Sequence, residues 1–147
     1  MLYVGADEHT AFIETFGRRE TTGRLLGQNV VTQAELIERP RALVTSSRPL
    51  MVVDLVGAGL ARIGADNRLS DGRYTTAQRW ALAFHQHPNQ PDGLRYRSRH
   101  DPSRIIVAMF DRVAPRLQAS SLGALADPSN ATILAEILDT YEFALLS

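Results

Sequence analysis

The sequence predicts an α+β domain built on a mixed β-sheet, and three observations carry that expectation. Strand-like and helical stretches are interspersed without a regular β-α-β rhythm. Ile105 to Phe110 is a nearly all-apolar run of the kind that fills a central strand. Ile133, Leu134, Ile137, Leu138 and Tyr141 recur as a single helical stripe near the C-terminus.

Taken in order, Leu2 to Val4 reads as a strand, Gly5 permits a sharp exit, and Asp7 is a natural N-cap for a helix running to Gly17. Phe12, Ile13 and Phe16 make the apolar face of that helix. Glu14 points nearly opposite, beside the small residues Thr10 and Ala11, which leave room for a ligand; periodicity alone makes it a solvated surface glutamate. The polar stretch from Arg18 to Thr22 leads to a weakly patterned region around Gly27 to Val31. Arg41 to Val44 and Leu50 to Leu55 then read as short buried strands, and Ala58 to Ile63 as a short helix.

Thr75 or Thr76 is placed to cap a helix that turns Ala77, Trp80, Ala81 and Phe84 inward, and Pro88 stops it. Leu94 to His100 alternates as a strand, Asp101-Pro102 makes a turn, and Ile105 to Phe110 completes a hairpin. Asp127-Pro128 starts the last helix, whose stripe implies a docked C-terminus.

A chain of 147 residues fits one domain, residues 1–147, with a core of its own. It contains no cysteine, which excludes disulfides and thiolate chemistry and suits the cytoplasm. Sixteen arginines, with no lysine, balance sixteen acidic residues, so bulk attraction to nucleic acid or to an anionic membrane is not expected. Neither a signal peptide nor a run of the ~18 to 20 apolar residues needed for a membrane span is present.

Several residues invite chemistry. On the strand from Leu94 to His100, a period of two sets Tyr96, Ser98 and His100 on one face and Arg95, Arg97 and Arg99 on the other. The arginine row reads best as charge protecting an edge strand, although such a row can also hold phosphate. Ser98 lacks a Gly-x-Ser-x-Gly context, which leaves it as a hydrogen-bonding hydroxyl and not a hydrolase nucleophile. His85 and His87 suit helix-end carbonyls better than a shared metal, so no metal site is expected. Trp80 and Phe84 read as core. Gly57 and Gly59 lack the third glycine and the downstream acid of a dinucleotide loop.

Three segments in a fixed order carry a family resemblance: Leu2-Tyr3-Val4 with Ala11-Phe12-Ile13-Glu14; Val53-Asp54-Leu55 before an Ala-Leu-rich helix; and Gly93-Leu94-Arg95-Tyr96-Arg97-Ser98-Arg99. Together they resemble the RES domain family over Leu2 to Phe110. That family is named for an arginine, a glutamate and a serine; Glu14 and Ser98 match the second and third by position, and Tyr3 matches a pocket tyrosine. The resemblance implies an ADP-ribosyltransferase-like mixed-sheet core with flanking helices. It also implies cleavage of NAD at the nicotinamide-ribose bond, by a glycohydrolase or phosphorylase, with NAD as substrate and no other cofactor.

On that reading Glu14 and Ser98 are catalytic, Tyr3, Tyr96 and Ser98 hold the dinucleotide, and a small helical Xre-like antitoxin is the partner. The family's arginine belongs to a strand upstream of Leu2-Tyr3-Val4, where this chain has only Met1. The chain therefore reads as N-terminally shortened, with an exposed sheet edge that favours self-association to a homo-oligomer. Two alternatives stand beside the enzyme. One is a catalytically impaired RES-like protein that acts through antitoxin binding or self-association. The other is an unrelated α+β binding module.

Overall fold

A computed structural model describes residues 1–17, 24–25, 28–66 and 74–147. The expected polar stretch from Arg18 to Thr22 lies outside the described residues. The backbone gathers into two compact units, Met1–Ala11 with Ser46–Leu117, and Phe12–Thr45 with Gln118–Ser147.

The first unit is organised by a sheet of β1 (Leu2–Gly5), β5 (Val52–Asp54), β6 (Gly93–Arg97) and β7 (Ile105–Met109). Among the described residues their order is β1-β7-β6-β5. β7 runs antiparallel to both β1 and β6, whereas β5 is parallel to β6, so the sheet is mixed as the sequence predicts. The apolar run from Ile105 does lie inside the sheet, and the expected hairpin with β6 forms. Paired residues project to one face; Tyr3, Ala108, Leu94 and Val53 share a face, and Gly5, Ile106 and Tyr96 continue it.

Leu55, Leu60, Leu94 and Phe110 form the core of this unit, with Val53, Ala81, Phe84 and Tyr96 packed against it. Leu60 comes from a short helix, α3 (Ala58–Arg62), and Ala81 and Phe84 from α4 (Tyr74–His85). The Trp80 and Phe84 rings lie 5.7 Å apart, so the inward stripe of α4 follows the expected spacing. Thr75 and Thr76 sit within the first turn of α4 and do not precede it. A Cβ on Gly59 would lie 1.9 Å from the Asp54 carbonyl oxygen, and Gly57 adopts φ +55 ahead of α3. Close helix-strand approach thus accounts for Gly59, and the positive φ for Gly57.

The second unit is built around an aromatic core. Phe12, Ile13 and Phe16 of α1 (Glu8–Phe16) join Val31, Leu36, Leu134, Ile137 and Phe143 there. The Phe12 ring meets Phe16 at 4.8 Å and the edge of Phe143 at 5.0 Å. Leu134 and Ile137 belong to the expected stripe of α5 (Ala131–Thr140). The C-terminus is docked: β9 (Phe143–Leu146) pairs in parallel with β3 (Gln28–Thr32), whose other neighbour is β2 (Arg24–Leu25).

A capping box that the sequence reading overlooks, Thr32-Gln33-Ala34-Glu35, starts α2 (Gln33–Glu38). The Glu35 N–H donates to Thr32 Oγ1 at 3.2 Å, and the Thr32 N–H to Glu35 Oε2 at 2.8 Å. The strand at Arg41 is present as β4 (Arg41–Ser46) but is not buried as expected. It pairs with β8 (Leu117–Gly123), and Ala42, Leu43 and Thr45 are exposed, as are residues 118–122 of β8, so both faces of that ribbon are open. No helix among the described residues is long and apolar enough to cross a membrane.

Candidate functional site at the carboxyl ends of the strands

The strand directions set the geometry. β1, β5 and β6 all end at one edge of the first unit's sheet, where β7 begins, since Gly5 is opposite Ile106 and Arg97 opposite Ile105. Polar side chains collect where these ends meet. The Asp7 carboxylate caps α1: Oδ1 accepts the Thr10 N–H at 2.8 Å and the Thr10 hydroxyl at 2.6 Å. Its Oδ2 accepts Arg104 Nη1 at 2.9 Å, from the residue just before β7. Burial pushes the Asp7 carboxyl up, but the Thr10 hydrogen bonds and the Arg104 charge outweigh it and hold it below the usual aspartate range.

Ser98 lies in the adjoining turn and is buried, at 2% exposure. Its N–H donates to the Arg104 carbonyl at 2.9 Å, which extends the hairpin by one pair beyond β6. Its Oγ accepts two backbone N–H groups, from His100 at 3.1 Å and Asp101 at 3.0 Å. The strand therefore ends at Arg97 and not at His100 as expected, because the Ser98 hydroxyl binds the backbone N–H groups of His100 and Asp101 and turns the chain. Asp101 continues the turn: its Oδ1 accepts from the Ser103 N–H and hydroxyl, and its Oδ2 lies 3.4 Å from Arg104 Nε.

The other expected residues are placed as follows. Tyr3 is 61% exposed on β1, and Tyr96 is half-buried on β6. The register puts both on one sheet face, on either side of β7. Glu14 is half-buried in α1 and belongs to the second unit, while Tyr3, Tyr96 and Ser98 belong to the first. Of the two small neighbours expected beside Glu14, Thr10 is fully buried and Ala11 is exposed.

The arginine row requires a correction. β6 is an interior strand between β5 and β7, so Arg95 and Arg97 do not guard an edge. Arg95 Nη1 pairs with Asp54 Oδ1 on β5 at 2.8 Å, and Arg97 Nη1 donates to the Pro102 carbonyl at 2.6 Å. A neighbouring acid and a turn carbonyl satisfy these cations where solvent would have served an edge strand. His87 Nδ1 accepts the Asn89 N–H at 3.2 Å, a helix-end role, and His85 Nε2 lies 3.0 Å from Asp111 Oδ1.

Two features escaped the sequence reading. Arg104 precedes an apolar strand and carries no local motif, yet it touches Asp7, Asp101 and Ser98. Asp92 is buried at the opposite end of the sheet, where both its oxygens accept the Arg48 guanidinium at 2.8 Å and Oδ2 also takes the Met51 N–H at 2.7 Å. Beside that end, a cavity of about 240 Å³ is lined by Met51, Val52, Val53, Phe84, His87, Asn89 and Pro91. None of the residues expected at the site lines it.

The model of the RES domain family matches residues 1–128. The chain is also 31% identical over 114 residues to a protein named probable toxin y4kH of Sinorhizobium fredii, which covers 77% of this chain and 87% of that protein. No solved structure matches. The chain belongs to the RES domain family.

Proposed function

From that membership we propose that this protein is the toxin of a toxin–antitoxin pair and acts by cleaving NAD at the bond between nicotinamide and ribose. The observation that carries the reading is the family match over residues 1–128, joined to the likeness to a named probable toxin. The mixed sheet with flanking helices supports an ADP-ribosyltransferase-like core. The chain acts in the cytoplasm, where it meets NAD and is held silent by a small helical antitoxin of the Xre type.

As nicotinamide departs, positive charge gathers on the ribose, and a nearby carboxylate lowers the barrier by stabilising it. Glu14 supplies that charge. No proton donor is needed, because the leaving group starts as a cation and departs neutral. Tyr3 and Tyr96, on one face of the sheet, give aromatic surfaces for the nicotinamide end. Ser98 contributes a hydrogen bond to the ribose or the amide and, through its turn, a fixed position from which to make it. The acceptor is water in a glycohydrolase and inorganic phosphate in a phosphorylase, and product analysis with and without phosphate distinguishes them.

The test is Glu14→Gln, which keeps size and removes charge. The expected result is a loss of NAD turnover of roughly 100-fold or more with an unchanged thermal midpoint. Unchanged turnover removes Glu14 from the mechanism.

A second reading rests on β1, which forms one end of the sheet among the described residues and exposes Leu2 and Tyr3. It makes the chain an interaction protein that binds an antitoxin or its own copy through that strand. Wild-type protein that leaves NAD intact and still forms a stable complex favours this second reading.

A further inference from the structure

We propose that the cavity at the end of the sheet where β5 and β6 begin is a binding site for a small, flat, uncharged nitrogen heterocycle with an amide-like edge, of the kind that nicotinamide and adenine present. The inference goes beyond the NAD-cleaving reading and does not rest on it. Every residue it uses lies in the first unit.

The cavity, of about 240 Å³, has an apolar floor and a polar rim. Val52, Val53 and Phe84 are half-buried and Pro91 is buried, whereas Met51, His87 and Asn89 are exposed. The His87 ring has a fixed role: its Nδ1 accepts the Asn89 N–H at 3.2 Å. An amide N–H only donates, so the neutral ring carries its proton on Nε2. Among the described residues neither that ring N–H nor the Asn89 carboxamide has a hydrogen-bond partner. The rim thus offers a ligand donors from both residues and an acceptor from Asn89.

The rim is also built in advance. Gln90 adopts φ +44, a conformation that strains a residue with a side chain and recurs at ligand sites, and its N–H closes the turn on the His87 carbonyl at 2.8 Å. On the other side Met51 is tied twice to Asp92: its N–H donates to Oδ2 at 2.7 Å, and its carbonyl accepts the Asp92 N–H at 2.7 Å. Walls already in place lose less freedom when a ligand enters.

Size, charge and polarity select the occupant. The volume is below the roughly 300 to 1,000 Å³ of drug-sized pockets, which limits the ligand to one ring or two fused ones. No lining residue carries a permanent charge, and the Asp92 carboxylate behind the rim is already held by Arg48, so a phosphate or carboxylate finds no counter-charge there. A wholly apolar molecule would cover the rim groups without replacing their hydrogen bonds to water. A flat ring with adjacent donor and acceptor satisfies the rim and lays its face on Phe84 or Pro91. Nicotinamide is the product that the proposed reaction releases, and adenine is the base at the other end of NAD.

The experiment is an NMR titration of the whole chain with nicotinamide, with adenine and with toluene, a ring that lacks the polar edge. One or both heterocycles should move the backbone resonances of residues 51–53, 84 and 87–92 and saturate with a Kd on the order of 0.1 to 1 mM, as suits so small a ligand. Asn89→Ala keeps the backbone N–H that binds His87, so it should leave the thermal midpoint in place and weaken binding roughly 3- to 10-fold. Saturation by nicotinamide alone assigns the site to the released product, by adenine alone to the base, and by both to their shared edge.

The proposal is overturned if neither heterocycle moves these resonances, if toluene binds as tightly, or if Asn89→Ala leaves the affinity unchanged. Shifts confined to the segments of Tyr3, Tyr96 and Ser98 overturn it as well. The readout needs no turnover. A chain that leaves NAD intact and binds a heterocycle here keeps this site and loses the enzymatic reading, and a chain that cleaves NAD without these shifts does the reverse.

Discussion

The two ends of the four-stranded sheet each carry an aspartate bound by an arginine, and they differ in burial. Asp92, at the end where β5 and β6 begin, has a side chain 5% exposed, and both its oxygens are gripped by Arg48. Asp7, where β1 ends, is 42% exposed, touches Arg104 through one oxygen and spends the other on a helix cap. A carboxylate with little water around it must keep every partner, because a buried charge without one is costly. A half-solvated carboxylate can lose a partner and be rehydrated. The first end therefore depends on its partners for stability, and the second depends on them less.

The largest effect that tests this contrast is expected from Asp92→Ala. It strips Met51 N–H of its acceptor and removes the side-chain bridge to Arg48, while the Asp92 N–H keeps its bond to the Met51 carbonyl. The loss should be about 3 kcal/mol, or roughly 6 to 12 °C in a thermal melt of a chain this size. NAD turnover per folded molecule should be nearly unchanged. A small shift in melting would show that the bridge is dispensable and would erase the difference between the two ends.

Two glycines sharpen the comparison. A Cβ on Gly93 would come within 2.3 Å of the Ala108 carbonyl oxygen, at the end of the β6–β7 ladder next to Asp92. One on Gly5 would lie 2.6 Å from the Ala11 amide nitrogen and 2.9 Å from Thr10 Cβ, against the first turn of α1. Each alanine substitution is expected to destabilise by about 1–3 kcal/mol through overpacking. On the proposed NAD-cleaving role of Glu14, only Gly5→Ala should also depress kcat, because the part it displaces is the start of the helix that bears Glu14. Equal kcat losses per folded molecule in both variants would contradict the division of roles.

How far the sequence foretold these regions follows from the range of the forces involved. Local rules found α1 with its Asp7 cap, the inward stripe of α4, the Ile105 strand and the stripe of α5, because capping and periodicity act within one or two turns. The order of the strands did not follow from local rules. The arginines of β6 read as edge protection because alternation reports which faces a strand has, not which strands flank it. Arg104 and Asp92 were silent for the same reason: their partners are Asp7 and Arg48, far away in sequence. Ser98 was singled out by position in the motif, while its grip on the His100 and Asp101 amides emerged only from the turn itself.

Acid titration gives the finest test. The Arg48 hydrogen bonds hold the Asp92 carboxyl below its ordinary value of 3.8; burial opposes them, and the Met51 N–H reinforces them. Asp7 is shifted in the same direction, more openly to solvent. In both cases the unfolded chain binds protons at a higher pH than the folded one, so stability rises with pH across that interval. The contribution is complete above the unfolded value near pH 4 and is lost as pH falls through the lowered folded value. Chemical denaturation between pH 5 and pH 3 should thus show a steep loss in the wild type, a flattened one in Asp92→Asn, and in Asp7→Asn a curve close to wild type. A stronger flattening from Asp7→Asn than from Asp92→Asn would mean that the solvated carboxylate carries more of the folding free energy than the enclosed one, and the assignment of the two ends would have to be exchanged.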